Sequence, residues 1–339
     1  MLFHPTQTQF IPQFLARPLL LACKAITSKP KFRHVQPERI FFNKLCRFLY
    51  LPAKFIFVFD GTQKPSMKRN KRGQVQEMWA HVRPLIHAFG FETHTAPGEG
   101  EAELAHMNFE GIIDAVLTMD GDALVFGAET VIFYRSSDIY QMPAISLDHN
   151  GLILFALLAG NDYNTKGLPG CGLTLARTIS VSQQFADRLI KTFETVPYAS
   201  TLHTALTKWK ADICQFLDSS GKKSVAKNWP DDFPSFDLLQ QLIQPLTSWS
   251  TPGNTMVRPM PLPPSLTRLA AAYEALLGGT QAQISKTFQN NIFEPYTFSA
   301  IFSVRIFFHF CCWKAYLVLS SLEQCTMMQQ KRSEPRLAP

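Results

Sequence analysis

Apolar positions along the chain fall into two alternating kinds of segment. Phe41, Leu45, Phe48 and Leu49 recur at i, i+4, i+7 and i+8, the spacing of one helix face, and Pro52 ends the run. Phe55–Phe59 (FIFVF) is a short continuous apolar stretch stopped by Asp60-Gly61, which predicts a buried strand with a turn behind it. Val75, Met78, Trp79, Val82, Leu85, Ile86 and Phe89 mark another helix, closed by Gly90 and kinked by Pro84. Phe91–Thr95 predicts a second strand, and Pro97-Gly98 opens a helix over Glu99–Phe109. Ala115–Met119 and Thr130–Tyr134 predict two more strands, and Leu152–Leu158 lies on a further helix. Strands that alternate with helices imply an α/β fold with a mostly parallel sheet covered on both faces. Beyond about residue 165 the pattern turns helical with long polar links. Thr247–Pro264 predicts a surface loop, and Leu266–Leu277 is the last helix expected. Residues 1–36 show no period.

Composition narrows the class. Of 339 residues, 46% are apolar and 17% charged, the balance of a globular chain rather than a disordered one. A net charge of +7 suits a polyanionic partner without requiring one. The seven cysteines are scattered with no C-x-x-C pair, so neither a zinc site nor a disulfide framework is indicated, and a reducing compartment is expected. Residues 296–322 are very apolar, but Arg305, His309 and Lys314 interrupt them short of the roughly 20 residues that span a bilayer, so no membrane partner is expected.

The candidate chemistry is acidic. Asp60, then Glu99/Glu101/Glu103, then Asp120 and Asp122 stand at strand or helix ends, and Asp162 follows the next helix. In parallel α/β sheets sites form at the carboxyl ends of strands. Carboxylates gathered there raise one another's pKa unless a cation joins them. A donor set of oxygens alone suits Mg²⁺ or Mn²⁺. Two such ions about 4 Å apart serve both the attacking and the leaving oxygen of phosphodiester hydrolysis. Taken singly, each acid also suits a helix's first turn or a self-bonded turn. Lys64, Lys68, Arg69, Lys71 and Arg72 concentrate five positive charges within nine residues, read either as contact with nucleic acid or as a solvated loop or import signal. The Gly167, Gly170 and Gly172 turn lets backbone N–H groups approach a phosphate at a helix start, though such turns are also ordinary loops. The aromatic residues near these motifs, Phe48, Tyr50 and Trp79 among them, are read as core, and His81, His87, His94 and His106 form no ligand spacing.

Three ordered segments carry a resemblance. FVFDG (57–61) with KPSMKRNKRG (64–73) resembles the N-terminal motif of the XPG/flap-endonuclease family. APGEGEAELAHMNFEGIIDAVLTMDGDALVFG (96–127) is similar to its internal motif, and GLILFALLAGNDYNTKGLPGCG (151–172) to the helix-hairpin-helix entrance that follows. With DDFPSFDLLQQLIQPLTS (231–248), the wording resembles most the fungal Holliday-junction-resolvase branch, over roughly residues 38–295. The resemblance implies a PIN-like nuclease core at 38–150, a helix-hairpin-helix and helical region at 151–295, an atypical segment at 1–37 and an unassigned apolar tail at 296–339. It implies a structure-specific endonuclease that cuts 5′ flaps or four-way junctions in the nucleus, as a monomer or a DNA-induced dimer. Carried over position by position, the metal ligands fall on Asp60, Glu99, Glu101, Asp120, Asp122 and Asp162. Lys68 becomes the catalytic cation, Lys64, Arg69, Lys71 and Arg72 face DNA, and K⁺ sits at the hairpin. Glu103 matches an acid that is not a ligand. One departure stands out. The family draws a further Asp from an early strand, in a pattern such as L-A-I-D, whereas residues 1–59 contain no Asp and Glu38 is their only acid. The rival expectation is therefore a weakened or inactive protein that still binds branched DNA.

Overall fold

The computed structural model describes residues 19–24, 37–51, 53–63, 81–133, 139–142, 146–196, 198–250 and 262–301. The basic run at 64–72, with Lys64, Lys68, Arg69, Lys71 and Arg72, lies outside these residues, as do Trp79 and most of the apolar tail.

Six strands form one sheet: β1 (Leu19–Lys24), β2 (Ala53–Phe59), β3 (Glu92–Thr95), β4 (Ala115–Thr118), β5 (Thr130–Phe133) and β6 (Ile139–Gln141), in the order β3-β2-β1-β4-β5-β6. The first five are parallel and β6 closes the edge antiparallel. The mostly parallel sheet expected from the alternating pattern is thus present. The central strand, however, comes from the segment set apart as 1–37. β1 pairs with β2 and β4 at once, through Ala22↔Ile56 and Ala22↔Val116. Its sequence, LLLACK, shows no alternation because a central parallel strand is buried on both faces. Burial divides its side chains: Leu20 and Ala22 join one core cluster, Leu21 and Cys23 the other.

One face is covered by α1 (Pro37–Phe48) and α2 (Arg83–Ala88). Phe42, Phe48, Phe55, Phe57 and Phe89 are fully buried there, with Phe48 stacked on Phe55 at 4.4 Å between centroids. Each such side chain is worth about 2–3 kcal/mol by transfer out of water. Pro84 does not kink a helix interior; it occupies the first turn of α2, where its missing N–H costs nothing. The opposite face is covered by α3 (Gly100–Phe109) and α4 (Asp122–Val125) through Leu104, Ala105, Met107, Ala123 and Leu124.

The helical region has its own core, around Trp209, Leu189 and Leu239. It comprises α5 (His149–Ala159), α6 (Leu173–Ser180), α7 (Gln183–Thr195), α8 (Ala199–Ser219), α9 (Lys223–Lys227) and α10 (Phe236–Ile243). The chain then returns to the sheet. α11 (Leu266–Leu277) places Tyr273 against Phe42 at 4.8 Å, and Ser265 N–H donates to Ala88 O. A further helix that periodicity did not predict, α12 (Gln281–Asn291), starts on a capping box in which Thr280 and Gln283 bond each other's backbone N–H. Its Ile284 and Phe288 join the α1–α2 face. Helical backbone continues over residues 293–301, so the beginning of the apolar tail is helix. Among the described residues no helix is long and apolar enough to cross a membrane.

Candidate metal centre and its hairpin

The strand order reverses between β1 and β4, and the candidate acids collect at the carboxyl end of the sheet beside this reversal. Asp60 follows β2 directly. The Asp60-Gly61 turn lies so close to the turn before α3 that a Cβ on Gly61 would meet Ala96 O and Pro97 O at 2.0 Å. Gly61 N–H bonds Gly98 O at 2.6 Å, and Asp60 Oδ1 accepts from Gly100 N–H at 2.8 Å. The carboxylate therefore caps the start of α3, where the exposed N–H groups favour negative charge.

That start carries Glu99 and Glu101, both buried at 4% exposure. Asp120 and Asp122 come from the turn after β4, which is closed by Asp120 N–H to Thr118 Oγ1 and Asp122 N–H to Asp120 Oδ1. Glu101, Asp120 and Asp122 each offer a carboxylate oxygen, and the three oxygens lie within 4.8 Å of one another. Three oxygen donors at this separation, with no His or Cys among them, fit a hard divalent cation. Glu99 is joined to the hairpin by Tyr163, whose hydroxyl donates to Glu99 Oε2 at 2.6 Å; Asp162 precedes Tyr163 in the chain. Burial, then the charge of Glu99, raises the Tyr163 pKa above its ordinary value, with Asp122 and Glu101 adding to the effect.

The turn between α5 and α6 is built on Asn161. Its Oδ1 accepts from Tyr163 and Asn164 N–H, both at 2.9 Å, an Asx turn that aims Tyr163 inward. Gly167, at φ +56°, lies against Leu158 O and Gly160 N, where a Cβ would come within 2.4 and 2.5 Å. Gly170 and Gly172 are exposed, and Gly172 caps α6 with nothing within 4 Å of its would-be Cβ. The glycine turn thus has one packing glycine and an open face at a helix start.

Glu103 has neither a ligand's place nor that of a solvated helix face. Fully buried, its Oε1 bonds His94 Nε2 at 2.7 Å and its Oε2 accepts from Ser248 N–H at 2.8 Å. Burial pushes the carboxyl up, but the bonds from His94 and Ser248 outweigh burial and leave it below the ordinary value. Residues 247–250 are accordingly not a free surface loop: Thr247 is buried, and Trp249 stacks on His106 at 4.6 Å. Sequence reasoning missed Asn161, Tyr163 and the His94–Glu103–Ser248 link. Only Asn161, next to a helix-ending glycine, carried a local signal.

Residues 90–162 match the XPG I-region. The segment from β3 through Asp162 is thus similar to the XPG I-region. The chain is 39% identical over 184 residues to rice (Oryza sativa subsp. japonica) flap endonuclease GEN-like 1, covering 42% of this chain and 29% of that protein. It is 26% identical over 241 residues to the mouse (Mus musculus) flap endonuclease GEN homolog 1, covering 61% of this chain and 25% of that protein. Similarity to the Saccharomyces cerevisiae Holliday junction resolvase YEN1 is 26% over 200 residues, 39% of this chain and 26% of that one. The chain thus spans a quarter to a third of these curated relatives. Among solved structures, GEN1 in complex with product DNA and Mg²⁺ superposes with a TM-score of 0.60 at 25% identity, over 83% of this chain and 70% of that one. The fold this chain shares with these structures is that of a PIN-like nuclease core.

β1 ends on Lys24, paired with Val58 two residues before Asp60.

Proposed function

We propose that this chain is a structure-specific DNA endonuclease that cuts 5′ flaps or four-way junctions. The observation that carries the reading is the convergence of Glu101, Asp120 and Asp122 at the carboxyl end of a parallel sheet, one helix away from a glycine turn. Glu101, Asp120 and Asp122 would hold a divalent cation, Mg²⁺ or Mn²⁺, with Asp60, Glu99 and Asp162 completing a set for two. When bound, such ions supply Lewis-acid stabilisation of charge on the phosphoryl oxygens. The protein's own part is positional. Strand and helix ends fix the carboxylates, and Tyr163 and Gly100 N–H hold Glu99 and Asp60. The exposed N–H groups around Gly170–Gly172 receive a duplex phosphate without reading sequence, and a K⁺ ion suits the same turn. Lys64, Lys68, Arg69, Lys71 and Arg72 steer the strand to be cut, with Lys68 nearest the chemistry. We place the activity in the nucleus, with a monomer acting on flaps and a DNA-induced dimer on junctions. The test is cleavage of labelled 5′-flap and four-way-junction DNA in Mg²⁺ beside Asp122→Asn. Cutting that the variant loses supports the reading, and tight binding without cutting by either protein sinks it.

Lys24 favours a second reading, a branched-DNA-binding protein with weakened catalysis. β1 ends on Lys24, and residues 1–59 contain no Asp where the family pattern supplies one from an early strand. Lys24→Asp is then expected to raise both Mn²⁺ affinity and cleavage. Unchanged metal affinity in that variant would remove Lys24 from the account.

A further inference from the structure

The hairpin and the acidic edge belong to separate cores, and the Tyr163 side chain crosses from one to the other. Tyr163 is buried, packs with the helical-region cluster and belongs to the Asn161 turn. Its hydroxyl meets Glu99, 64 residues earlier in the chain, at 2.6 Å. A phenol facing a carboxylate can only donate, so the bond engages Oε2 and fixes the direction of the carboxylate group. Four residues after Tyr163, Gly167 is pressed against the end of α5 by its contacts with Leu158 and Gly160, and Leu168 N–H bonds Leu158 O at 3.0 Å. The stretch from Tyr163 to Leu168 is therefore fixed at one end to Glu99 and at the other to the end of α5.

We propose that Tyr163 is a positioning residue: it orients Glu99 for the divalent cation and ties the duplex-holding hairpin rigidly to the acidic edge. The proposal rests on the metal-centre reading above. A partner that orients a ligand without touching the metal sets affinity through the ligand's direction, and its loss commonly costs about 10–100-fold in metal binding.

The experiment uses the full chain. Mn²⁺ binding is followed by electron paramagnetic resonance for wild type, Tyr163→Phe, Glu99→Gln and the double variant, and four-way-junction binding is measured in EDTA. Tyr163→Phe is expected to weaken Mn²⁺ binding roughly tenfold, with junction affinity in EDTA within about twofold of wild type. The double variant is expected to bind Mn²⁺ no more weakly than Glu99→Gln alone, since the two residues act as one unit. Glu99→Asp, which withdraws the carboxylate from the hydroxyl but keeps its charge, serves as a second probe should Tyr163→Phe fail to fold, and the same loss is expected. Wild-type Mn²⁺ affinity in Tyr163→Phe or Glu99→Asp overturns the proposal, as do losses that multiply in the double variant. No Mn²⁺ binding by the wild-type chain overturns the metal-centre reading instead, and this proposal falls with it.

Discussion

The acidic edge of the sheet and the glycine turn after α5 solve opposite electrostatic problems. The edge gathers carboxylates after β2 and β4 and at the start of α3, with Asp60 held by Gly100 N–H and Glu99 by the Tyr163 hydroxyl, and their mutual repulsion calls for a cation. The end of the turn before α6 offers backbone instead: Gly170 and Gly172 are exposed, and nothing lies within 4 Å of a Cβ built on Gly172. On the proposed reading, the cation belongs to the element ends and the grip on a polymer to bare backbone. Either can be broken with the other left standing.

The largest expected effect is on the edge. Asp122→Asn should reduce cleavage by more than the roughly 10–100-fold that losing a supporting residue brings, with branched-DNA binding kept within a few-fold. Equal loss of binding and cleavage would mean that edge and turn are not separable. Glu103 tests whether every acid of α3 belongs to the edge. Glu103→Ala leaves His94 and the Ser248 N–H without their partner in a buried place, and should lower stability by about 2–4 kcal/mol in denaturant unfolding. Its Mn²⁺ affinity, once folded, should match wild type. Smaller again is Gly167→Ala, which forces a left-handed residue against backbone atoms and should cost about 1–3 kcal/mol. The smallest stability effect belongs to Gly172→Ala. That position has an ordinary φ and open space, so unfolding should move by less than about 0.5 kcal/mol. Junction binding should nevertheless weaken, because the added methyl stands where a phosphate would approach. Unchanged binding in Gly172→Ala would shift the phosphate contact elsewhere on the turn.

The two regions also differ in how far they could be read from sequence. The glycine turn is local: G-L-P-G-C-G before an apolar helix is visible as a string, because a backbone site is made by consecutive residues. The acids at Asp60 and Asp120 were legible too, since each ends a predicted strand, with Asp122 two residues beyond. Their neighbours were less so. Glu103 shares α3 with Glu99 and Glu101, and only the packing of residues 247–250 separates its structural place from theirs. Pro84 was expected to kink a helix that in the described residues begins beside it.

By itself, then, the sequence determined the strand–helix alternation, the parallel sheet and which carboxylates stand at strand ends, because apolar period and turn residues act over a few positions. Tertiary structure alone decided what lies between distant segments. It put LLLACK at the centre of the sheet, a strand without alternation because both of its faces are buried. It returned α11 and α12 to that sheet and joined Tyr163 to Glu99. Those contacts depend on hydrogen bonds and packing between residues tens of positions apart, and no local pattern encodes such a distance.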